Sequence, residues 1–205
     1  MRDASAMDIY YDFACPYVGA ASRWIDAVQE ARGEFLAIRW RAFPLEQVNS
    51  GEGSEWKLWE QPEGYRSKGL PAFMAAIAAR DQGDEAHWRF HRALIEAKHG
   101  AGKEHGKRET LLGAAREAGL DMDRFEAAST DRTRLATIGE EYEEGRATLG
   151  VFGTPTFVFP NGQAAYLKLD PKAVPTGQAA LDFFDRFVET VRDRPFVMEI
   201  KRPSR

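Results

Sequence analysis

The sequence predicts an α/β fold in which a β-α-β unit and a β-β-α unit enclose a long all-helical insertion. Strand-like runs of β-branched and aromatic residues occur only towards the two ends of the chain. The segment from Gly69 to Leu149 carries helical periodicity alone. A third observation bears on function, because the single cysteine, Cys15, stands where the first strand pattern meets the first helix pattern.

The β-α-β unit is predicted from three consecutive patterns. Residues 7–13, MDIYYDF, predict a strand. Pro16 fits the first turn of the next helix, where its missing N–H costs no hydrogen bond, and apolar residues then recur at helical spacing until Gly33. Residues 34–43 alternate apolar and polar side chains before Pro44, which predicts the second strand. We expect a right-handed crossover between the two strands.

The middle of the chain predicts a loop followed by helices. Residues 47–64 are rich in Gly, Glu and Ser, which is typical of a loop with one helical turn. Trp56 and Trp59 within it are candidates for a lid over Cys15, but packing against the core is the favoured interpretation. Helical runs are predicted at residues 71–83, 85–100, 108–119 and 130–149. The acidic residues 140–144 are interpreted as a solvated helix face.

The β-β-α unit closes the chain. Residues 156–159 and 164–169 flank the turn signal Pro-Asn-Gly and predict an antiparallel hairpin. Thr176 is expected to cap a final amphipathic helix. Residues 196–200 predict one more edge strand.

Composition and charge restrict the function. The chain has 205 residues, of which 43% are hydrophobic, enough to bury a core. A net charge of −4, with basic residues interleaved among acidic ones, argues against a nucleic-acid partner. The chain shows no signal-peptide pattern and no apolar run approaching about 20 residues, so we expect a cytoplasmic protein without a membrane partner. One cysteine excludes an intrachain disulfide but leaves an intermolecular one open.

Cys15 is the candidate nucleophile. At a helix N-terminus, unpaired N–H groups and the positive end of the helix dipole favour the thiolate over the thiol. The alternative is a small buried apolar residue. Asp12 is a candidate proton acceptor, or equally a strand-end carboxylate whose charge would oppose thiolate formation. His87 and His91 lie four residues apart on one predicted helix, but they lack further ligands, so we interpret them as a packed or surface pair and expect no metal.

This order of elements, with a cysteine at the start of the first helix, resembles the thioredoxin fold of the DsbA family. In that family a helical domain separates the second and third strands. The resemblance implies a thioredoxin-like domain formed by residues 1–45 and 150–205 and an inserted helical domain formed by residues 46–149.

A second motif strengthens the resemblance. Residues 150–157, GVFGTPTF, are similar to the segment in which DsbA-family proteins hold a cis-proline before the third strand. A cis X-Pro bond leaves the preceding backbone groups free to pair with an extended ligand. The resemblance therefore implies a substrate-binding surface that consists of Pro16, Tyr17, Thr154 and Pro155.

The active-site motif departs from its relatives at one position. Residues 10–17, YYDFACPY, are most similar to the cytoplasmic FrnE-like branch, to glutathione transferase kappa and to 2-hydroxychromene-2-carboxylate isomerase. Dithiol members carry Cys-Pro-X-Cys, whereas Val18 stands where the second cysteine would be. The kappa transferases and the isomerases carry serine at the first position. Without a second thiol, a mixed disulfide on Cys15 cannot be released by internal attack.

Three functional hypotheses follow from the resemblance and this departure. The first is a thiol-disulfide oxidoreductase that acts through Cys15 alone, has no covalently bound cofactor and uses glutathione or another low-molecular-weight thiol as co-substrate. Its substrate would be a small thiol or disulfide, or a protein disulfide. The second is a glutathione-dependent isomerase or transferase, and the third is a catalytically retired binding module. Dimers are common among the relatives, so a homodimer is also open.

Overall fold

In the part of the chain that the structure describes, the elements follow the predicted order of a β-α-β unit, a helical insertion and a β-β-α unit. The structure, a computed structural model, describes residues 6–53 and 55–202. The strands are Met7–Tyr11 (β1), Ile38–Ala42 (β2), Thr156–Val158 (β3) and Ala164–Tyr166 (β4). The helices are Pro16–Arg32 (α1), Leu45–Val48 (α2), Leu70–Arg80 (α3), Asp84–Ile95 (α4), Arg108–Glu117 (α5), Met122–Ser129 (α6), Arg134–Glu143 (α7) and Gly177–Arg192 (α8). A 3₁₀ turn at Leu58–Glu60 and π-helical turns at Glu96–Gly100 and Glu144–Thr148 complete the helical segments.

The strands form one mixed sheet in the order β2-β1-β3-β4. β1 pairs in parallel with β2 and antiparallel with β3, and β3 pairs antiparallel with β4. In this register Ile9 lies between Trp40 and Phe157. The central position of β1 explains why its sequence is almost continuously apolar, since elements pack on both of its faces. The predicted α/β class and helical insertion are confirmed.

Helix α1 begins and ends where the sequence indicates. Pro16 occupies its first turn, and Gly33 ends it with a left-handed φ of 70°, donating its N–H to the carbonyl of Gln29. Trp24 anchors α1 to α8 by donating its indole N–H to the carbonyl oxygen of Ala180 at 3.2 Å. Its ring contacts three phenylalanines of α8 and one of β3, which are Phe183, Phe184, Phe187 and Phe157.

The helical insertion shares its core with the sheet. Tyr11 of β1 contacts the ring of Phe73 of α3 at 5.6 Å. Trp40 of β2 stacks on Trp88 and lies 4.0 Å from the ring of His91, both on α4. His91 and its neighbour one turn earlier, His87, are buried among these rings. The interpretation of the two histidines as packed side chains is confirmed.

An ion pair between the half-buried Arg80 and the buried Glu141 covers the free edge of β2, and it corrects one sequence interpretation. Arg80 of α3 donates to the carbonyl oxygen of Trp40 at 2.7 Å, and Glu141 of α7 accepts the N–H of Ala42 at 2.6 Å. Arg80 and Glu141 also bond to each other at 2.7 Å. The side chain of Glu141 is only 4% exposed, so the prediction that residues 140–144 form a solvated face was wrong at this position. Covering the edge in this way blocks pairing with another strand.

Other differences concern short or polar segments. The sequence did not predict α6, which has Asp121 as its N-cap and only Phe125 buried, so its periodicity is weak. The strand predicted at residues 196–200 was wrong, because this segment pairs with no strand in the described part of the chain and most of its side chains are exposed. Trp56 and Trp59 pack against the core as favoured, with the Trp59 ring 5.2 Å from that of Tyr142.

Several strand ends also differ from the sequence patterns. β1 stops at Tyr11 because Asp12 begins a turn, β2 starts only at Ile38, and β4 ends at Tyr166.

Within residues 6–53 and 55–202, no helix has both the length and the apolar character needed to cross a membrane.

Candidate active site

The candidate site forms where the end of β1 meets the start of β3. Cys15 closes the turn after β1, donating its backbone N–H to the Asp12 carbonyl at 3.0 Å, and acts as the N-cap of α1. Its thiol donates to the carbonyl oxygen of Thr154 at 3.3 Å. The two residues are 139 positions apart in sequence, and Cys15 is 5% exposed. The fold thus presses the sulfur against the loop that precedes β3.

That loop contains a cis peptide bond between Thr154 and Pro155. The loop is held on both sides: the Thr156 hydroxyl donates to the carbonyl of Gly153 at 2.7 Å, and the Leu167 N–H donates to the carbonyl of Pro155 at 3.2 Å. The Thr154 hydroxyl is buried and has no hydrogen-bond partner in the described structure. A buried, unpaired hydroxyl beside the thiol is a polar group that a ligand can satisfy.

Pro16, Tyr17 and Lys168 form the rim of the site. Pro16 is exposed at the first position of α1, and Tyr17 is half-buried. The Lys168 ammonium lies 4.8 Å from the centre of the Tyr17 ring and 5.4 Å from that of Tyr166. The hydrogen-bonding side chain of Tyr166, followed by the charges of Tyr166, Tyr17 and Cys15, raises the pKa of Lys168. Sequence reasoning missed Lys168, because only the pairing of β4 with β3 carries it to this rim.

Asp12 lies under the loop that carries Cys15. One carboxylate oxygen accepts the N–H of Ala14 and the other accepts the N–H of Leu45, each at 2.7 Å. Burial raises the pKa of Asp12, and these two hydrogen bonds partly oppose the rise. The thiol of Cys15 bonds to Thr154 and not to this carboxylate. Asp12 therefore ties the strand-to-helix turn to the start of α2.

His99 contacts the same loop from the helical insertion. Its Nε2 lies 2.9 Å from the carbonyl oxygen of Phe13, and since a carbonyl can only accept, Nε2 carries the proton. The ring also lies against Gly19 of α1, where an added Cβ would come within 2.9 Å of His99 Cδ2. Burial lowers the pKa of His99, so the neutral ring is favoured. No local pattern predicts this contact, because it joins two segments that are distant in sequence.

Val18 occupies the position of a second active-site cysteine. It is completely buried in the first turn of α1, and its N–H donates to the carbonyl of Cys15 at 3.1 Å. Cys15 is the only sulfur nucleophile in the chain. The described residues contain no group of three or more His, Cys, Asp or Glu side chains that could hold a metal ion.

Comparison with known proteins defines the class. The family model for the DSBA-like thioredoxin domain matches residues 6–188. The chain therefore belongs to the DSBA-like family of thioredoxin-fold proteins. One curated relative, the Na(+)/H(+) antiporter NhaA 1 of Salinispora arenicola (strain CNS-205), is 35% identical over 156 residues. That match covers 75% of this chain, which spans only 20% of the length of the relative.

Solved structures share the fold at low sequence identity. The cytosolic disulfide reductase DsbM from Pseudomonas aeruginosa, solved with GSH, has 21% identity and a TM-score of 0.58, with coverage of 90% of this chain and 98% of its own. Wolbachia pipientis alpha-DsbA1 has 16% identity and a TM-score of 0.56, with coverage of 95% and 90%. A 2-hydroxychromene-2-carboxylate isomerase has 16% identity and a TM-score of 0.59, with coverage of 95% and 100%. These similarities show the fold alone.

Proposed function

We propose that this protein is a cytoplasmic thiol-disulfide oxidoreductase that acts through Cys15 alone, with glutathione or another low-molecular-weight thiol as co-substrate. The observation that carries the proposal is the contact between the Cys15 thiol and the carbonyl of Thr154, beside a cis-proline, in a chain without a second cysteine. The DsbM structure, which shares this fold and was solved with GSH, supports the choice of thiol.

The first step is attack of the Cys15 thiolate on a disulfide that contains glutathione. A bond forms between Cys15 Sγ and the glutathione sulfur, and the S–S bond of the substrate breaks. The second sulfur leaves as a thiolate and takes a proton from solvent. Cys15 caps the N-terminus of α1, and its hydrogen bond to Thr154 requires the thiol proton, so this bond is released when the thiolate forms.

The second step needs a thiol from outside the chain. A second glutathione thiolate attacks the glutathione sulfur of the mixed disulfide, which releases the Cys15 thiolate and glutathione disulfide. Each turnover thus consumes one external glutathione thiol: the other half of the substrate disulfide leaves as a thiol, and its former glutathione half leaves as part of glutathione disulfide. Val18 cannot take part in this step, because its side chain is a buried hydrocarbon.

The remaining predicted site residues have supporting parts in this proposal. The backbone beside Pro155 pairs with the peptide-like ligand, and the free hydroxyl of Thr154 offers it a further hydrogen bond. Pro16 and Tyr17 form the wall next to the sulfur. Asp12 anchors the loop rather than accepting the thiol proton, because its oxygens bond to backbone N–H groups.

The test is intact-mass spectrometry after incubation with glutathione disulfide. We expect wild type to gain one glutathione adduct, which excess reduced glutathione removes, and Cys15→Ser to gain none. A wild-type protein that forms no adduct would contradict the proposal. Calorimetric titration of Cys15→Ser with glutathione separates the alternatives. Isomerase or transferase chemistry is favoured if Cys15→Ser binds glutathione and wild type forms no adduct. A retired binding module is favoured if Cys15→Ser does not bind glutathione and wild type forms no adduct.

A further inference from the structure

Lys168 carries a positive charge at the rim of the site that forms no ion pair with a carboxylate of the described residues. Among the described residues its ammonium contacts the rings of Tyr17 and Tyr166 and interacts with the Tyr166 hydroxyl, it forms no ion pair with a carboxylate, and the side chain is exposed. Other lysines and arginines of this acidic protein, such as Arg39, Arg80 and Lys57, bond to carboxylates. An unpaired cation beside a reactive sulfur is available to a ligand.

The two tyrosine rings fix where this charge lies. Tyr17 is two positions from Cys15 on α1, and Tyr166 ends β4, which pairs with the strand that begins just after Pro155. Attraction between the ammonium and the two ring faces orients a side chain that would otherwise be mobile. The ring that the ammonium contacts at 4.8 Å belongs to Tyr17, which follows Cys15 by two positions, and the charge of Cys15 is one of the causes that raise the pKa of Lys168.

Other charged groups around the sulfur do not cancel Lys168. The Asp12 carboxylate is buried and bonds to two backbone N–H groups, while His99 is favoured in its neutral form. The mouth of the site is therefore locally positive although the whole protein has a net charge of −4.

We propose that Lys168 is a specificity-determining residue that makes the Cys15 site select anionic partners, the class of small thiols and disulfides that carry free carboxylates. This proposal rests on the proposed function, because it names the class of co-substrate for the same sulfur. Phe152, which is 60% exposed and has its ring 5.0 Å from that of Tyr166, extends the surface along which such a ligand would lie.

The experiment compares alkylation of Cys15 by iodoacetate and by iodoacetamide at pH 7.5 and low ionic strength. Both reagents form a carbon–sulfur bond to the same atom and release iodide, but only iodoacetate is negatively charged. The ratio of the two rate constants therefore reports the local potential and is independent of the thiolate fraction. A unit charge about 4–6 Å away in a water-like dielectric changes this ratio by roughly three- to fivefold.

We expect Lys168→Met to lower the iodoacetate-to-iodoacetamide ratio by about threefold and Lys168→Arg to preserve it. Lys172→Met, which removes an exposed lysine four positions further on, is the matched control and should preserve the ratio. The difference between wild type and Lys168→Met should nearly vanish at about 1 M salt, where the Debye length is ~3 Å.

The proposal is overturned if Lys168→Met leaves the iodoacetate-to-iodoacetamide ratio unchanged, including the case in which both rate constants fall equally because only the thiolate is affected. It is also overturned if Lys172→Met lowers the ratio as much as Lys168→Met does. Its failure is distinguishable from failure of the proposed function. Charge selectivity without a glutathione adduct would sink the oxidoreductase proposal alone, whereas an adduct without charge selectivity would sink only the role of Lys168.

Discussion

Cys15 donates its thiol hydrogen bond to Thr154 because the pairing of β1 with β3 brings their chain ends together. In the antiparallel register Tyr10 faces Thr156, so the C-terminal end of β1 and the N-terminal end of β3 lie at the same side of the sheet. The cysteine follows one strand and the cis-proline precedes the other. The pairing of the two strands thus brings together two residues that are 139 positions apart in sequence.

The close approach of His99 to Gly19 predicts a localised effect of a methyl group. Gly19→Ala would place a Cβ 2.9 Å from His99 Cδ2, so the ring must move and its hydrogen bond to Phe13 is strained. We expect a loss of about 1–3 kcal/mol in the free energy of unfolding, measured by urea denaturation, together with a changed rate of Cys15 alkylation.

Gly113→Ala is the matched control for this prediction. Gly113 lies in α5 with open space around it, so an added methyl group should stabilise the protein by about 0.5–1 kcal/mol and leave alkylation unchanged. If Gly19→Ala behaved like Gly113→Ala, the proposed contact of His99 with the active-site loop would be wrong.

The Arg80–Glu141 pair predicts that replacing Glu141 causes a large loss of stability, although the sequence pattern presents Glu141 as one of several surface acids. Glu141→Ala leaves the Arg80 guanidinium and the Ala42 N–H without their partner, which costs on the order of 3 kcal/mol in unfolding free energy. The control is Glu140→Ala, which changes the exposed neighbour. Its free energy of unfolding should stay within about 0.5 kcal/mol of wild type. If the two variants had the same urea midpoint, the Arg80–Glu141 pair would contribute nothing to stability.

These two contacts indicate where sequence reasoning stops. Local patterns predict the order of elements, the Cys15 turn and the segment before β3. This is because strand periodicity, helix periodicity and proline each act within a few residues. Lys168 acts through Tyr17, His99 through Phe13 and Glu141 through Arg80, each in a distant segment of the chain. Nothing in the local sequence of these three residues distinguishes them from ordinary surface residues. Helix α6 was missed for a related reason, since only one of its side chains is buried.

Buried histidines predict a loss of stability in mild acid. Burial lowers the pKa of His87 to about 3 and of His105 to about 4, and it lowers that of His91 well below 6.5. The unfolded chain therefore binds protons below pH ~6.5 that the folded protein does not, so stability falls as the pH falls through this value. Each histidine contributes a slope of up to about 1.4 kcal/mol per pH unit. Asp12, whose pKa is raised, acts in the opposite direction.

The check is the urea midpoint at pH 7.5, 6.0 and 5.0. It should fall steadily with pH in wild type, and more gently in His87→Leu, which removes one of the groups. A midpoint that stays constant between pH 7.5 and 5.0 would contradict the neutral, buried state of these rings.

The absence of a second thiol can be tested by restoring it. Val18→Cys creates the Cys-Pro-X-Cys pattern of the dithiol members, with the new sulfur one helical turn from Cys15. Because position 18 is completely buried, we expect glutathione disulfide to react first at Cys15. The new thiolate then attacks Cys15 Sγ, the glutathione thiolate leaves, and an internal disulfide forms.

Mass spectrometry distinguishes the two outcomes, since an internal disulfide lowers the mass by two hydrogen atoms whereas an adduct raises it by one glutathione unit. Val18→Ala, which also shortens the side chain but adds no thiol, should retain the adduct seen in wild type. Persistence of the adduct in Val18→Cys would mean that the first turn of α1 holds the two sulfurs apart. Internal resolution would show that Val18 alone makes this site depend on an external thiol.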